Sequence, residues 1–442
     1  MATTRALAAR TTTFTPEMFG AKGDGRTNDT LAMANLAIAV TIASGGTVIF
    51  RNTTYIVGMQ DGDDVLAFTG CTDPLVIQGN GARIRCADGL RYGVFDPASG
   101  EPVQPKMPYF GPGRTSPYRN MIRVQGCTGP VTIADLELDG NLDRLMLGGP
   151  WGDTGWQIGA TGLTLRDNSG AEIVSNLHTH HHAQDGFAIN GVDPAPPAHA
   201  RRMTNVRAEH NGRQGCSITG GHGYLFDGCS FAHTARGPIV SKPGAGVDLE
   251  AEGGKVNSGF AFVNCVFDDN YGPGFVADTG PSADVAFTSC KFVGTIDWAV
   301  WPNKPGIRFS QCSFTGAFAK AFGDPDRARA TRFDDCVFDD DPRHSSTGKV
   351  YGGTNTDRPL ADLSDALNIQ FNRCRFLALH GSVMPWSKHA IYKDCTMQQT
   401  APGLSFPRGT YEGHSVATGN ISPTFSTMTG VLLLNGKSFG RP

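Results

Sequence analysis

The sequence predicts an all-β fold, a single-stranded right-handed parallel β-helix with an N-terminal capping helix. Three observations carry that expectation: a recurring eight-residue phrase, a cysteine at one place in every copy, and a spacing that suits one coil of a solenoid. The phrase reads apolar, any, aromatic, two polar, Cys, any, aromatic. It occurs at Tyr224–Phe231, Phe260–Phe267, Val285–Phe292, Ile307–Phe314, Thr331–Phe338, Ile369–Phe376 and, more loosely, Ala390–Met397. The cysteines stand at 229, 265, 290, 312, 336, 374 and 395, so copies lie 21 to 38 residues apart. A mostly β-forming repeat of that length argues for stacked coils rather than a globular core.

Within each copy, alternation, a polar pair and renewed alternation describe one strand turning a corner into the next. The cysteines then form a ladder along the interior, where a thiol behaves as a small hydrophobe. The two widest spacings leave room for inserted loops, which in solenoids collect on the binding face.

A chain of 442 residues would ordinarily suggest two or three domains, but a solenoid needs none, because each coil packs only on its neighbours. The expected division is a cap over 1–60, a β-helix over 61–398 with long loops at 88–119 and 140–157, and a C-terminal cap or tail over 399–442. The 57 glycines and 27 prolines are spread along the chain as turn punctuation. A net charge of -3, with no Lys/Arg run, speaks against a nucleic-acid surface. No apolar stretch is long enough to span a membrane. Seven of the 11 cysteines belong to the ladder, which argues against a disulfide framework and against CxxC metal sites. The opening Met1-Ala-Thr-Thr-Arg-Ala-Leu-Ala-Ala-Arg10 lacks the apolar core of a signal peptide. A chain complete as it stands would be expected in the cytoplasm, and one with a trimmed leader in the periplasm or outside the cell.

Taken in order, the chain begins with Phe14-Thr-Pro-Glu-Met-Phe-Gly-Ala-Lys-Gly-Asp-Gly25, then Thr27-Asn-Asp-Thr30, a helix over Leu31–Ile42, and Gly45-Gly-Thr-Val-Ile-Phe50. The Thr/Asn/Asp cluster suits a helix N-cap. This segment resembles the N-terminal part of the pectate-lyase-like superfamily, which includes rhamnogalacturonases, polysaccharide lyases, mannuronan epimerases and phage tailspikes. The resemblance implies a β-helix acting on a polysaccharide, with Asp24 and Asp29 serving the cap rather than catalysis. The hydrolase motif series Asn-Thr-Asp, Asp-Asp, Gly-His-Gly, Arg-Ile-Lys is not reproduced. Gly221-His222-Gly223 precedes Asp268-Asp269, and the other two motifs are missing. The resemblance therefore speaks for architecture, not for a particular reaction.

Two further coils, Phe68–Ile77 and Val124–Ile133, share a Gly-Cys-Thr-X-Pro centre. The loops beside them are rich in Trp, Tyr, Arg and Asp. Trp151 and Trp156 would suit stacking on sugar rings, although aromatics there could equally pack the loops onto the coils.

From 171 onward the coils align on Asn176-Leu177, Asn205-Val206, Gly228-Cys229 and Asn264-Cys265. His181, His210, His233 and Asp269 then form one file at a turn, with His182, Asn211, Thr234 and Asn270 next to it. The strands that follow place Phe187/Ile189, Cys216/Ile218, Val247/Leu249 and Phe275/Ala277 inside. Outside, one file reads Asn190, Thr219, Glu250, Asp278, Trp301, and its neighbour has Asp248 beside Ser217.

Asp248, Glu250 and Glu252 share the outer side of one strand, and Glu250 should face Asp278 on the next coil. Like charges so close raise one pKa, which a proton donor requires, and paired carboxylates across the scissile bond are the arrangement of glycoside hydrolysis. The catalytic candidates are Glu250, Asp278 and Asp248, supported by Asp269, His210 and His233. The candidates for holding a sugar are Trp151, Trp156, Trp301, His181, His182, Asp185, Lys242 and Arg236. The plain alternative is a solvated acidic row. His178-Thr-His-His-His182 invites a metal, but consecutive ligands rarely converge, so neither a metal nor another cofactor is expected. The expected partner is an oligo- or polysaccharide, without nucleic acid or membrane, and a C-terminal strand near 430–435 could cap the solenoid or pair two subunits in a homo-oligomer. A lyase or epimerase would need a cation near its base, where Lys242 and Arg236 are the nearest. A non-catalytic sugar-binding or tailspike-like protein is the remaining alternative.

Overall fold

The computed structural model describes residues 12–103, 113–149, 158–191, 200–352, 358–364, 366–385, 387–405, 409–422 and 427–440. Its regular structure is almost entirely strand, and 35 strands join one continuous ladder whose pairings are parallel except at the last hairpin. The coils from Leu66–Thr69 to Val300–Pro302 have three faces. The first holds strands such as Leu225–Asp227, the second Ser230–Ala232 and the third Val247–Leu249.

The eight-residue phrase spans the first two faces and the corner between them. Its polar residue before Cys adopts a left-handed conformation in every copy, at Gly228, Asn264, Ser289, Gln311, Asp335, Arg373 and Asp394, with φ between +52° and +63°. The corner turns there because one residue per coil leaves the β region, and polar or glycine residues tolerate that best. On the inner side the two aromatic positions build two stacks. Phe262, Phe287, Phe309 and Phe333 follow one another at 4.8–4.9 Å between ring centroids. Phe267 and Phe292 stack at 4.5 Å in the second column. Those separations match the rise from one β rung to the next, so stacking and backbone pairing satisfy the same spacing. Rings from the two columns meet edge to face, as Phe287 and Phe292 do at 74°.

All 11 cysteines are buried free thiols. The ladder is in register: the Cys265 thiol donates to the carbonyls of Val263 at 3.3 Å and of Phe226, one coil earlier, at 3.6 Å. Burial pushes the Cys216 thiol well above its ordinary pKa, as expected of inert packing groups.

The capping helix runs Thr30–Ile42, one residue longer at its start than predicted. Asn28 Oδ1 accepts from the N–H and hydroxyl of Thr30, while Asp29 accepts from the backbone N–H groups of Lys22 and Gly23. Asp24 binds the N–H groups of Arg26 and Thr27. Both acids therefore fix the cap. Coils stack from Gly46–Ile49 to Val431–Leu434, where the chain folds back antiparallel on Lys437–Gly440. The apolar strand near the C-terminus thus pairs within its own chain.

The described parts of the two long loops contribute Arg91–Val94, Arg114–Thr115 and Met146–Leu147 to a small sheet of their own. Their aromatic residues Tyr92, Phe95 and Tyr118 are buried against the coils rather than offered to solvent. Trp151 and Trp156 lie outside the described residues.

Candidate functional site

The third face carries the acids. Its rungs stack Arg123, Thr164, Ala188, Ser217, Asp248, Val276 and Trp301 in one outward file. Glycines open this face: a Cβ on Gly215 or Gly246 would lie 2.4 Å from the carbonyl oxygen of the next coil. Only glycine lets the backbones approach so closely as the strand leaves its turn.

Phe187, Ile189, Cys216, Ile218, Val247, Leu249, Phe275 and Ala277 all point inward and are fully buried, as the alternation predicts. Asp248 pairs with Ser217 on one side and Val276 on the other, and the charges of Glu250 and Asp278 both act on it. Asp248 is only 5% exposed, and Gln214 Nε2 donates to its Oδ2 at 2.5 Å. Burial first, and then the charges of Glu250, Asp278 and Asp185, raise its pKa to about 7 against the pull of Arg213. Glu252 is raised too, first by burial and then by Glu250.

Asp185 belongs to the same group. It is buried, its pKa is pushed up to about 6 by burial against the opposing charge of Arg213, and Arg213 Nη1 lies 3.5 Å from its Oδ2. Its Oδ1, like Gln214 Oε1, has no hydrogen-bond partner among the described residues. A buried acceptor left open is a place for water or a sugar hydroxyl. Asp185 lines a cavity of about 390 Å³ with Asp64, Arg123, Gln125, Arg166 and Ala188. The cavity ends two rungs before Asp248, a distance of roughly 10 Å at the usual strand spacing.

Arg213 and Gln214 escaped the sequence reading, because nothing in an isolated Arg-Gln pair shows that it will meet acids from two neighbouring coils. Four expectations about this face change. Trp301 pairs with Val276 and so belongs to the Asp248 file, not that of Glu250 and Asp278. The shift is two residues: Ala299 rather than Asp297 lies opposite Gly274. An even slip leaves the inside–outside alternation intact, so the pattern could not reveal it. Lys320 Nζ sits over one face of the Trp301 ring, 4.4 Å from its centroid. His182 is fully buried, bonded to the Tyr118 hydroxyl at 2.8 Å and facing the Leu138 carbonyl, so it cannot touch a ligand. Arg236 is bound to Asp269 at 3.3 Å, and Lys242 acts on Asp297; the cation at the acids is Arg213.

The fourth change concerns the histidines. Their file exists as predicted, with His181 on His210 at 5.0 Å and His210 on His233 at 4.7 Å between stacked rings. His233 Nδ1 lies 3.1 Å from Asp269, whose other oxygen accepts from Thr295. This file occupies the turn between the second and third faces, at left-handed positions with φ near +54°. Among the described hydrogen bonds and ion pairs, these imidazoles meet Asp143 and Asp269, and none meets Asp248 or Glu250. Burial, with the neighbouring His233 and His181, lowers the His210 pKa to about 4. Around the same turn, Arg83, Arg85, Asp139, Asp143, His180 and His181 line a separate hollow of about 210 Å³.

The profile of the right-handed β-helix region matches residues 120–318. A capsule KN3-specific depolymerase of Klebsiella phage KN3-1 is 59% identical over 44 residues, which is 10% of this chain and 6% of that protein. Among solved structures, the pre-mature gene product 12 of bacteriophage phi29 superposes with a TM-score of 0.56 at 14% identity, covering 96% of this chain and 57% of that one. The mannuronan C-5 epimerase AlgE4 A-module of Azotobacter vinelandii gives a TM-score of 0.46 at 14% identity, covering 94% of this chain and 99% of that one. The chain spans only a small part of the phage depolymerase and little more than half of the phi29 protein. With three-faced coils, a parallel ladder and a matching profile over its central coils, the chain has the fold of a right-handed parallel β-helix.

Proposed function

We propose that the protein is a polysaccharide depolymerase that hydrolyses glycosidic bonds on the third face of its β-helix. The observation that carries this reading is Asp248, a buried carboxyl with a pKa of about 7 set beside Glu250 and Asp278. An acid that holds its proton near neutrality can protonate a departing sugar oxygen, while an ionised carboxylate nearby activates water or attacks the anomeric carbon. Asp248 takes the donor role, and Glu250 with Asp278 the base or nucleophile role. Asp185, Arg213 and Gln214 hold the donor in place and bind hydroxyls in the adjoining cavity. Trp301, two rungs beyond Asp248, offers a ring for stacking at the other end.

The local identity to a capsule depolymerase makes capsular polysaccharides the first substrates to try. The test is a panel of acidic and neutral capsular polysaccharides incubated with the protein and with Asp248→Asn. New reducing ends without the ultraviolet absorbance of an unsaturated uronate are expected from the native protein, and not from the variant. The same absorbance appearing with cleavage would show a lyase, with Arg213 neutralising a uronate beside Asp185. Retention of the polysaccharide without turnover would show a binding protein. Full activity in Asp248→Asn would remove Asp248 from the site.

A further inference from the structure

The histidine run ends in an arrangement that alternation alone does not announce. His180 is the last residue of the strand Glu172–His180 and projects outward. His181 then takes a left-handed corner, φ +53°, which swings its ring back across its neighbour. The two rings meet at 86° with their Nδ1 atoms 2.7 Å apart. Asp139, one coil earlier, pairs directly with His180 and brings Oδ1 to 3.7 Å from His180 Nδ1. The orientation of this carboxylate is fixed: Oδ1 accepts from the Asn141 N–H at 2.8 Å, and Oδ2 is held by Arg83 and Arg85.

The outer nitrogens of both rings face carboxylates. His180 Nε2 is 3.1 Å from Glu137 Oε1, and His181 Nε2 is 4.0 Å from Asp143 Oδ2. A neutral imidazole carries one N–H, and the tautomer that donates it outward leaves Nδ1 as a lone pair. Two such lone pairs, with a carboxylate oxygen beside them, converge on one point. That juxtaposition favours a cation between them. Ring nitrogens aimed at a centre, each backed by a carboxylate on its far side, are the pattern by which proteins orient metal ligands.

We propose that Asp139, His180 and His181 form a site for a divalent transition metal, zinc being the best match to two imidazoles and one carboxylate, with Glu137 and Asp143 orienting the rings. Bonds of about 2.0–2.1 Å require the ligand atoms to spread somewhat from their present positions. His181, half-exposed on its corner, has the freedom to do so. Three protein ligands leave a fourth position open to the hollow beside them. His178 and Glu137 approach the other nitrogen of His180 and form a competing set, which the test separates from this one.

The test uses the full chain without a histidine tag, stripped with chelator and dialysed. Calorimetric titration with Zn²⁺, and visible absorption after Co²⁺, should both report one bound equivalent. His180→Ala and His181→Asn should each weaken binding at least tenfold, whereas His178→Ala should leave it within a few-fold of the native protein. Asparagine adopts the same left-handed conformation at 176, 205 and 264, so His181→Asn preserves the corner. Asp139→Asn is the second, near-isosteric variant should His180→Ala fail to fold. Absence of stoichiometric binding would overturn the proposal. So would binding lost in His178→Ala but kept in His181→Asn.

Discussion

The wall formed by the first two faces and the third face of the same coils solve opposite problems. In the wall, between Tyr224 and Phe376, every copy repeats one solution: two stacked aromatics, one thiol and one left-handed corner. On the third face, between Asn120 and Trp301, hardly two rungs carry the same outward residue. The wall gains stability from sameness, because identical rings stack at the rung spacing. The third face spends part of that stability on buried carboxyls, Asp185 and Asp248, which a purely structural surface would leave in water. Variation on a register held constant elsewhere is what gives a solenoid a site.

The sharpest way to break this comparison is to neutralise the donor. Asp248→Asn should lower turnover of a cleaved polysaccharide by roughly 10²–10⁴-fold, the usual weight of a general acid, and unchanged turnover would reduce the third face to a polar surface. In the native protein, activity should fall on the alkaline side as Asp248 ionises near its pKa of about 7. A repeat position should behave in the opposite manner. Phe309→Ala, which removes a ring from the middle of the stack, should cost about 3–5 kcal/mol in denaturant unfolding, whereas a loss below 1 kcal/mol would mean that stacking does not hold the wall.

The same Asp248→Asn variant links the two regions through stability. Its folded pKa of about 7 stands above the ordinary value of 3.8, so folding favours the neutral acid. That contribution is fully present below about pH 4 and is lost as the pH rises through 7. At pH 8 the variant should therefore be more stable than the native protein, by up to about 4 kcal/mol, with a flatter pH profile; a less stable variant at pH 8 would contradict the raised pKa. The smallest effect belongs to a corner. Asn264→Ala, at φ +54° and without a side-chain partner among the described hydrogen bonds, should cost about 1 kcal/mol, and should leave activity untouched.

Most of the wall was legible in the residues. The spacing of Cys229 to Cys395 gave the coil length, and the polar residue before each thiol marked a corner whose left-handed backbone only the structure displays. Part of the site was equally legible: Asp248 beside Ser217 follows from aligning those same phrases. Trp301 was misplaced because a two-residue slip preserves alternation. His182 was misplaced because the corner at His181 reverses which neighbour turns inward, a matter of one φ angle.

What the sequence determined by itself is periodic: the coil, its two stacks, its thiol ladder, and the side of the strand on which each acid lies. Period and alternation are local properties, and the chain writes them out directly. What only the tertiary structure decided is convergence. Arg213 and Gln214 meet Asp185 and Asp248 across three coils, and Asp139 meets His180 and His181 across two, because each turn between faces has its own length. Electrostatic shifts arise from those meetings and from the exclusion of water around them, and neither is a property of any one stretch of residues.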